Sequence, residues 1–371
     1  MKAYDLVIVG AGFAGLACAE AAARHNLRTL VLERKHDLGG YIQTTGILVR
    51  EIAEAWDVPQ RLTRKISGVR LYSPSLDWVD LTSSGYYFLA TDTPALMRWH
   101  ARRAEAAGAK ILLDSAYVSS RYRNGRHYLE PGDVRSRFLV GCDGARSRVA
   151  KHYHLGRNRR FLIGVEAIYE QRVEIDQDRL HVFLDSELAP GYIGWVVPGV
   201  HCTQAGLATN FPAPPRLQDF IRKIAPVVNL QNLQPVSHRA GVIPCGGPVR
   251  NWSDENVLLL GDAAGMVSPM TAGGIHPAVM GGRMAGETIA HYLADGGEHP
   301  GLVLGESIPR VLFKKILRSL FIHTTIPNVV LDAVLKKPLF QAFAQMVFFH
   351  HRGLLSAEAW RDLIRIFNPP Q

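Results

Sequence analysis

Cysteine is scarce: Cys18, Cys142, Cys202 and Cys245 are four in 371 residues, with no Cys-x-x-Cys pair and no clustering with histidine. That excludes a disulfide framework and a zinc site of the usual spacings, and leaves buried, reduced thiols as the expectation. No metal is expected. Long apolar runs are missing as well. A membrane span needs about 18 or more uninterrupted apolar residues, and the nearest approach, 6–23, is cut by three glycines. It lacks a basic leader and is expected to belong to a fold motif. The protein is therefore expected to be cytoplasmic, with peripheral membrane contact as the closest approach to a bilayer. Basic residues are in surplus, 42 Lys and Arg against 33 Asp and Glu. No RNA-recognition, zinc-finger or basic-zipper pattern accompanies them, so nucleic acid is not an expected partner. Anionic ligands or a membrane surface suit the charge better.

What is present begins at the N-terminal end. Tyr4-Asp5-Leu6-Val7-Ile8-Val9 reads as a strand buried on both faces, and it runs into Gly10-Ala11-Gly12-Phe13-Ala14-Gly15. A small-residue helix and a second strand ending in Glu33 follow. Gly10 permits the tight turn, Gly12 the approach of a pyrophosphate and Gly15 close helix–strand packing, with the helix N-terminus turned to the phosphates. Glu33 is placed to accept a hydrogen bond from a ribose 2′-hydroxyl, with Arg34 beside it. A carboxylate there disfavours a 2′-phosphate, so FAD or NAD is expected rather than NADP.

Two later segments favour FAD. Phe138 to Val149 and Asn256 to Pro269 are each a buried strand that breaks at an Asp-Gly or Gly-Asp turn into a helix start. A carboxylate at such a turn can take a sugar or ribityl hydroxyl, and helix N–H groups can take a phosphate. The order Gly-x-Gly-x-x-Gly…Glu, Gly-x-Asp-Gly-x-x-Ser and Gly-Asp-Ala-Ala-Gly resembles the FAD-dependent hydroxylase superfamily, from about residue 4 to 290. The stretch 261–282, GDAAGMVSPMTAGGIHPAVMGG, is similar to its geranylgeranyl reductase-like branch.

The resemblance implies an α/β fold: a Rossmann-type FAD-binding domain with an inserted antiparallel β-sheet substrate domain and a C-terminal helical region. The expected divisions are 1–65 with 90–155 and 250–298, then 66–89 with 156–249, then 299–371. It further implies that Asp262, in the turn opened by Gly261, binds the ribityl chain. Gly273-Gly274-Ile275 should start a helix near the flavin pyrimidine. Asp143 should lie near the pyrophosphate or serve a structural turn. An arginine on the helix 94–107, Arg98 ahead of Arg102 and Arg103, is expected on the FAD phosphates.

Between these segments, alternating runs at 161–169, 180–184, 192–197 and 203–209, with hairpin strands from 68 to 87, suggest a sheet with one face lining a pocket. No hydrolytic constellation stands out, so the cofactor is expected to carry the chemistry. Pro190-Gly191-Tyr192-Ile193-Gly194-Trp195-Val196-Val197-Pro198 is similar to the branch's substrate-sheet motif, which makes Tyr192 and Trp195 the candidate substrate contacts. His276, directly after the glycines, and Thr44 and Thr45, where the branch's reductases often carry a cysteine, are the candidate catalytic residues.

The C-terminal stretch reads as helices at 310–321, 329–337, 338–350 and 357–367, apolar with basic flanks. They suit a cap over an apolar pocket and an interfacial membrane contact. The reaction expected is reduction of carbon–carbon double bonds in an isoprenoid or other apolar substrate. NAD(P)H is the candidate transient electron donor, since no second dinucleotide fingerprint occurs. A monooxygenase acting on an aromatic or lipophilic substrate is the alternative, and a non-catalytic flavin-binding protein the third.

Overall fold

Alternation along the strand Lys2–Val9 explains the first half of the fold. Leu6 and Ile8 face one apolar cluster, Val7 and Val9 another, and all four are buried. A strand apolar on both sides is stable only in the middle of a covered parallel sheet. In the computed structural model, which describes residues 1–130, 132–171, 173–307 and 326–349, that is its place. It pairs in parallel with Thr29–Leu32 on one side and Val134–Gly141 on the other. Lys110–Leu112 and Val257–Leu259 extend the parallel sheet outward, and short antiparallel strands flank it.

The helix Phe13–Arg24 covers one face of this sheet with alanine and glycine. Against it lies the long helix Ile275–Asp295. Their contact is close because Gly282 and Gly286 have no side chain. A Cβ on Gly282 would stand 2.3 Å from the Ala14 carbonyl oxygen, and one on Gly286 would stand 2.6 Å from that of Cys18. The helix Thr93–Ala106 packs on the same side.

The chain divides into two interleaved units. The first, just described, comprises Met1–Ile42, Thr93–Phe161 and the described residues from Ile243 to 307. The second comprises Gln43–Asp92, Leu162–Val242 and, among the described C-terminal residues, 326–349. These divisions differ from those expected at two places. The strand Ile47–Val49 leaves the nucleotide-binding unit because it pairs with Phe88–Thr91, which also pairs with Thr63–Ile66 to make a small antiparallel sheet. The described residues beyond 299 form no separate unit. Pro300–Ser307 stays with the first unit, while Asn328–Leu335 and Pro338–Phe349 belong to the second.

The second unit is built on a seven-stranded sheet in the order Ser237–Pro244, Phe161–Tyr169, Thr203–Asn210, Gly194–Pro198, Arg179–Phe183, Gly68–Tyr72 and Trp78–Leu81. Its faces separate by the two-residue period of a strand. Phe183 and Val196 face the helix Leu217–Ile224. Val182 and Val197 face a cluster that includes Leu335, Ala344 and Phe349 of the C-terminal helices. Those helices are therefore a cap on the sheet, fastened by Ser75 to Asp332 (2.8 Å) and Lys336 to Asp77 (2.9 Å). The expected helices at 310–321 and 357–367 lie outside the described residues. No helix among the described residues is long and apolar enough to cross a membrane.

Candidate functional site

The parallel strands of the first unit end together in Val9, Leu32, Gly141 and Leu259, and ligands of open α/β sheets bind beyond such carboxyl ends. There the chain turns at Gly10 with φ +100°, where a Cβ would stand 2.4 Å from the Cys142 carbonyl oxygen. Gly12 then caps the helix without a side-chain hydrogen bond, and Phe13 and Ala14 open its first turn. A Cβ on Gly12 would meet no protein atom within 4 Å. The space above the fingerprint is thus a cradle that a larger side chain would fill. Gly15 is the opposite case, in contact with the backbone of Gly10.

Glu33 is buried and held by two backbone amides: Ala11 N–H donates to Oε2 at 2.7 Å and Lys35 N–H to Oε1 at 2.9 Å. Its carboxylate is fixed beside the glycine turn, with lone pairs left for a hydroxyl. Arg34 is exposed next to it. Arg98 is engaged by Asp37 through Nε at 3.0 Å and Nη2 at 2.5 Å, and its guanidinium lies against Gly39. That pair holds the Asp37 carboxyl below its usual range and fastens the 37–40 loop to the helix Thr93–Ala106.

The oxygens of Asp143 accept from the Ser147 hydroxyl (2.6 Å), Arg148 N–H (2.6 Å) and Val149 N–H (3.2 Å), bonds that hold the turn into the short helix Arg148–His152. Asp262 contrasts with it. It sits in the Gly261–Ala264 turn, whose Gly261 packs 3.0 Å (by its would-be Cβ) from the Ala14 side chain. Among the described residues no hydrogen bond reaches its carboxylate. Burial alone pushes its carboxyl up to about 6. Its Oδ1 faces Gly274, the N-cap of Ile275–Asp295, at 3.5 Å from a would-be Cβ. Gly273 is exposed and His276 is half-buried in the first turn of that helix. A lone carboxylate held this way is an acceptor waiting for a donor.

Asn158, not singled out by its sequence context, joins the two turns. Its side-chain amide donates to the Ala145 carbonyl at 3.1 Å and the Asp262 carbonyl at 2.8 Å. Beside it opens a cavity of about 420 Å3 lined by Arg146, Lys151, Arg157, Arg159, Phe161 and Ala263 among others. Its four cations have no ion-pair partner among the described residues, so the cavity favours an anion.

In the second unit the structure brings Thr45 and Trp195 together through a residue that the sequence reading passed over. Glu166 is 3% exposed. Its Oε2 accepts from Thr45 Oγ1 and from Trp195 Nε1, both at 2.7 Å, and its Oε1 accepts from Arg239 Nη1 at 3.2 Å. Arg239 also donates to the Thr44 carbonyl (3.0 Å) and to Gln204 Oε1 (2.9 Å). Burial pushes the Glu166 carboxyl up, and Arg239, Thr45 and Trp195 pull it back. The available signal was a charged residue in the middle of the apolar strand Phe161–Tyr169. Tyr192 stands apart from this cluster. It closes a turn with Ala189, its N–H donating to that carbonyl at 2.9 Å, with Gly191 at φ +71°. Pro followed by Gly at the two central positions is the pattern of a type II turn.

Residues 8–52 match the family model of an NAD(P)-binding Rossmann-like domain. Digeranylgeranylglycerophospholipid reductase 2 of Methanopyrus kandleri is 30% identical over 319 residues, covering 79% of this chain and 78% of the relative. The chain belongs to the digeranylgeranylglycerophospholipid reductase family. It is thus an FAD-dependent oxidoreductase of the geranylgeranyl reductase-like branch. Among solved structures, a geranylgeranyl bacteriochlorophyll reductase-like protein of Thermoplasma acidophilum superposes with a TM-score of 0.81 at 20% identity, covering 98% of this chain and 96% of that one. A flavin-dependent brominase shares the fold at a TM-score of 0.70, with 15% identity and full coverage of both chains. The reductase family's FAD fits the residues present: an open cradle at Gly12, a pinned acceptor at Glu33 and, at Asp262, a half-buried acceptor with no donor among the described residues.

Proposed function

We propose that this member of the reductase family saturates carbon–carbon double bonds in an isoprenoid chain carried by a lipid. The observation that carries the reading is the 30% identity with a digeranylgeranylglycerophospholipid reductase across 79% of the chain. Bound and reduced, FAD supplies the hydride. The chain's own residues bind and orient. The first-turn amides at Phe13 and Ala14, below the gap at Gly12, take the pyrophosphate, with Arg34 and Arg98 contributing charge. Glu33 takes a ribose hydroxyl, Asp262 the ribityl chain, and Gly273, Gly274 and Ile275 the flavin pyrimidine. Trp195 and Tyr192 line the substrate's path. Thr44 and Thr45 in the second unit and His276 in the first are the candidate catalytic residues, each taken on its own.

A nicotinamide dinucleotide is the proposed donor, and the basic cavity beside Asn158 suits its phosphates. The lipid is met at a cytoplasmic membrane surface, toward which the basic surplus of the chain is drawn. Val329 and Leu339, exposed on the C-terminal helices, support that contact.

The test is anaerobic. Flavin in the purified protein is reduced, then mixed with a geranylgeranyl glycerophospholipid while the flavin spectrum and lipid mass are followed. Rapid flavin reoxidation with saturation of the lipid is expected. Reoxidation by air alone, with oxygen consumed in step with NAD(P)H, would replace this reading by the monooxygenase one. Thr44 and Thr45, standing where the branch's reductases often carry a cysteine, are the feature favouring that second reading.

A further inference from the structure

The reading above leaves the buried Glu166 of the substrate sheet without a task. Glu166 lies on the strand Phe161–Tyr169, opposite Gly206 in register, and Gly206 lies in turn opposite Trp195. A Cβ on Gly206 would stand 2.8 Å from Cζ2 and 2.9 Å from Cε2 of the indole. The missing side chain lets the ring lie flat across the middle strand, so that Nε1 reaches the carboxylate on the far side at 2.7 Å. An indole has one donor, and a bond to an ionised acceptor holds its orientation more firmly than a neutral one would.

The carboxylate is itself held. A buried anion needs a partner, and Arg239 supplies it while gripping the Thr44 carbonyl and Gln204. The Thr45 hydroxyl shares the same oxygen as the indole. Trp195, half-buried, packs with Val182, Val197 and Leu71 in the cluster on the face that the C-terminal helices cap.

We propose that Glu166 is a positioning residue that locks Trp195 flat across Gly206, making a rigid apolar floor that discriminates isoprenoid chains by length. The inference rests on Trp195 lining the substrate's path in an isoprenoid reductase. A flat floor adds apolar contact with each further isoprene unit. A floor that rotates adds little beyond the first. Thr45 is tied to the same anchor, so its hydroxyl and the floor keep one fixed relation.

The experiment uses the full chain loaded with FAD. The Trp195 Nε1–H resonance is located in nitrogen-15-labelled protein as the peak lost in W195F. Then kcat and KM are measured for geranylgeranyl and geranyl ethers of glycerol phosphate with wild type, E166Q, W195F and the double variant. E166Q is expected to move the indole resonance and to raise KM for the geranylgeranyl ether about ten-fold or more, the scale of a lost charge-assisted hydrogen bond. For the geranyl ether KM should shift less than about two-fold on the same scale, with kcat nearly constant for both. The double variant should be no worse than W195F. An unmoved resonance, additive effects, or equal losses on both chain lengths would overturn the proposal, since a residue that only sews strands together gives that pattern. Should E166Q not fold, W195F alone must show the length-dependent KM, and its absence is equally decisive. A wild type that reduces neither ether defeats the isoprenoid reading, while the indole resonance still decides whether Glu166 anchors the ring.

Discussion

A Cβ on Gly15 would stand 2.0 Å from the carbonyl oxygen of Gly10, whereas one on Gly12, three residues earlier, would touch nothing within 4 Å. The two glycines therefore fail differently when substituted. G15A forces the turn apart and should cost about 3 kcal/mol or more of stability, the upper range of overpacking. G12A, whose backbone at φ −78° suits any residue, should keep a thermal midpoint near wild type yet retain little flavin after gel filtration. Full flavin occupancy in G12A would remove the cradle from the account.

Asp262 is expected to trade stability against binding. Its carboxyl is raised to about 6 by burial, so in the flavin-free protein the folded state holds a proton that the unfolded chain releases near pH 4. The stabilising contribution is present below about pH 4 and is lost as pH rises through about 6. D262N removes that loss and should make the flavin-free protein more stable at pH 7.5, on the order of 2 kcal/mol because solvent partly reaches the group. The same variant should bind FAD at least about ten-fold more weakly. Denaturation of the flavin-free protein and fluorescence titration with FAD measure the two effects separately.

Buried histidines, His127 and His181 among them, set the acid limit. His127 bonds Tyr153 Oη at 2.8 Å and the Asn256 carbonyl at 3.2 Å, and burial pushes its pKa down to about 4. His181, between Tyr72 Oη (3.0 Å) and the Asp176 carbonyl (2.8 Å), is likewise lowered to about 4 by burial. Each stays neutral in the folded protein while the unfolded chain takes up a proton below about 6.5. Their contribution is whole above about pH 6.5 and falls away toward pH 4, by up to about 3 kcal/mol for each. Urea midpoints should drop between pH 7 and pH 5, and H181Q should flatten part of that drop. A pH-independent midpoint would contradict the assignment.

The contact between Phe13–Arg24 and Ile275–Asp295 should tolerate no side chain at its centre. G286V would press a branched group into the Cys18 carbonyl and the Ala22 amide, both backbone atoms that cannot rotate away. The expected loss is about 3 kcal/mol, with flavin retention falling as Gly261 and Ala14 separate. Thermal unfolding and flavin content should fall together in G286V, whereas in G12A only the flavin content falls.

The nucleotide end was legible because its geometry can be met by few residues: a positive φ at Gly10 and two backbone approaches leave glycine as the only solution. The substrate sheet was legible as strands, since its runs alternate, but the pairing of Glu166 with Arg239 was not. Glu166 is separated from Arg239 by 73 positions, and nothing local in either strand announces the partner. Arg98 likewise found its partner in Asp37, 61 residues away, a pairing that only the folded loop creates. The boundary at 43 was hidden because Ile47–Val49 finds its sheet partner some forty residues on, past three other strands.

The long helix that covers Phe13–Arg24 has consequences for synthesis. Cys18 and Gly286, which nearly touch, leave the ribosome far apart in time. At roughly 5–20 residues per second the alanine-rich face of the first helix waits some tens of seconds for its cover. During that interval the nascent nucleotide-binding unit exposes an apolar stripe with no native partner, a surface suited to a holding chaperone. Flavin arriving before residue 286 is made would find the glycine turn but no complete helix Ile275–Asp295 behind it, so loading belongs to the end of translation.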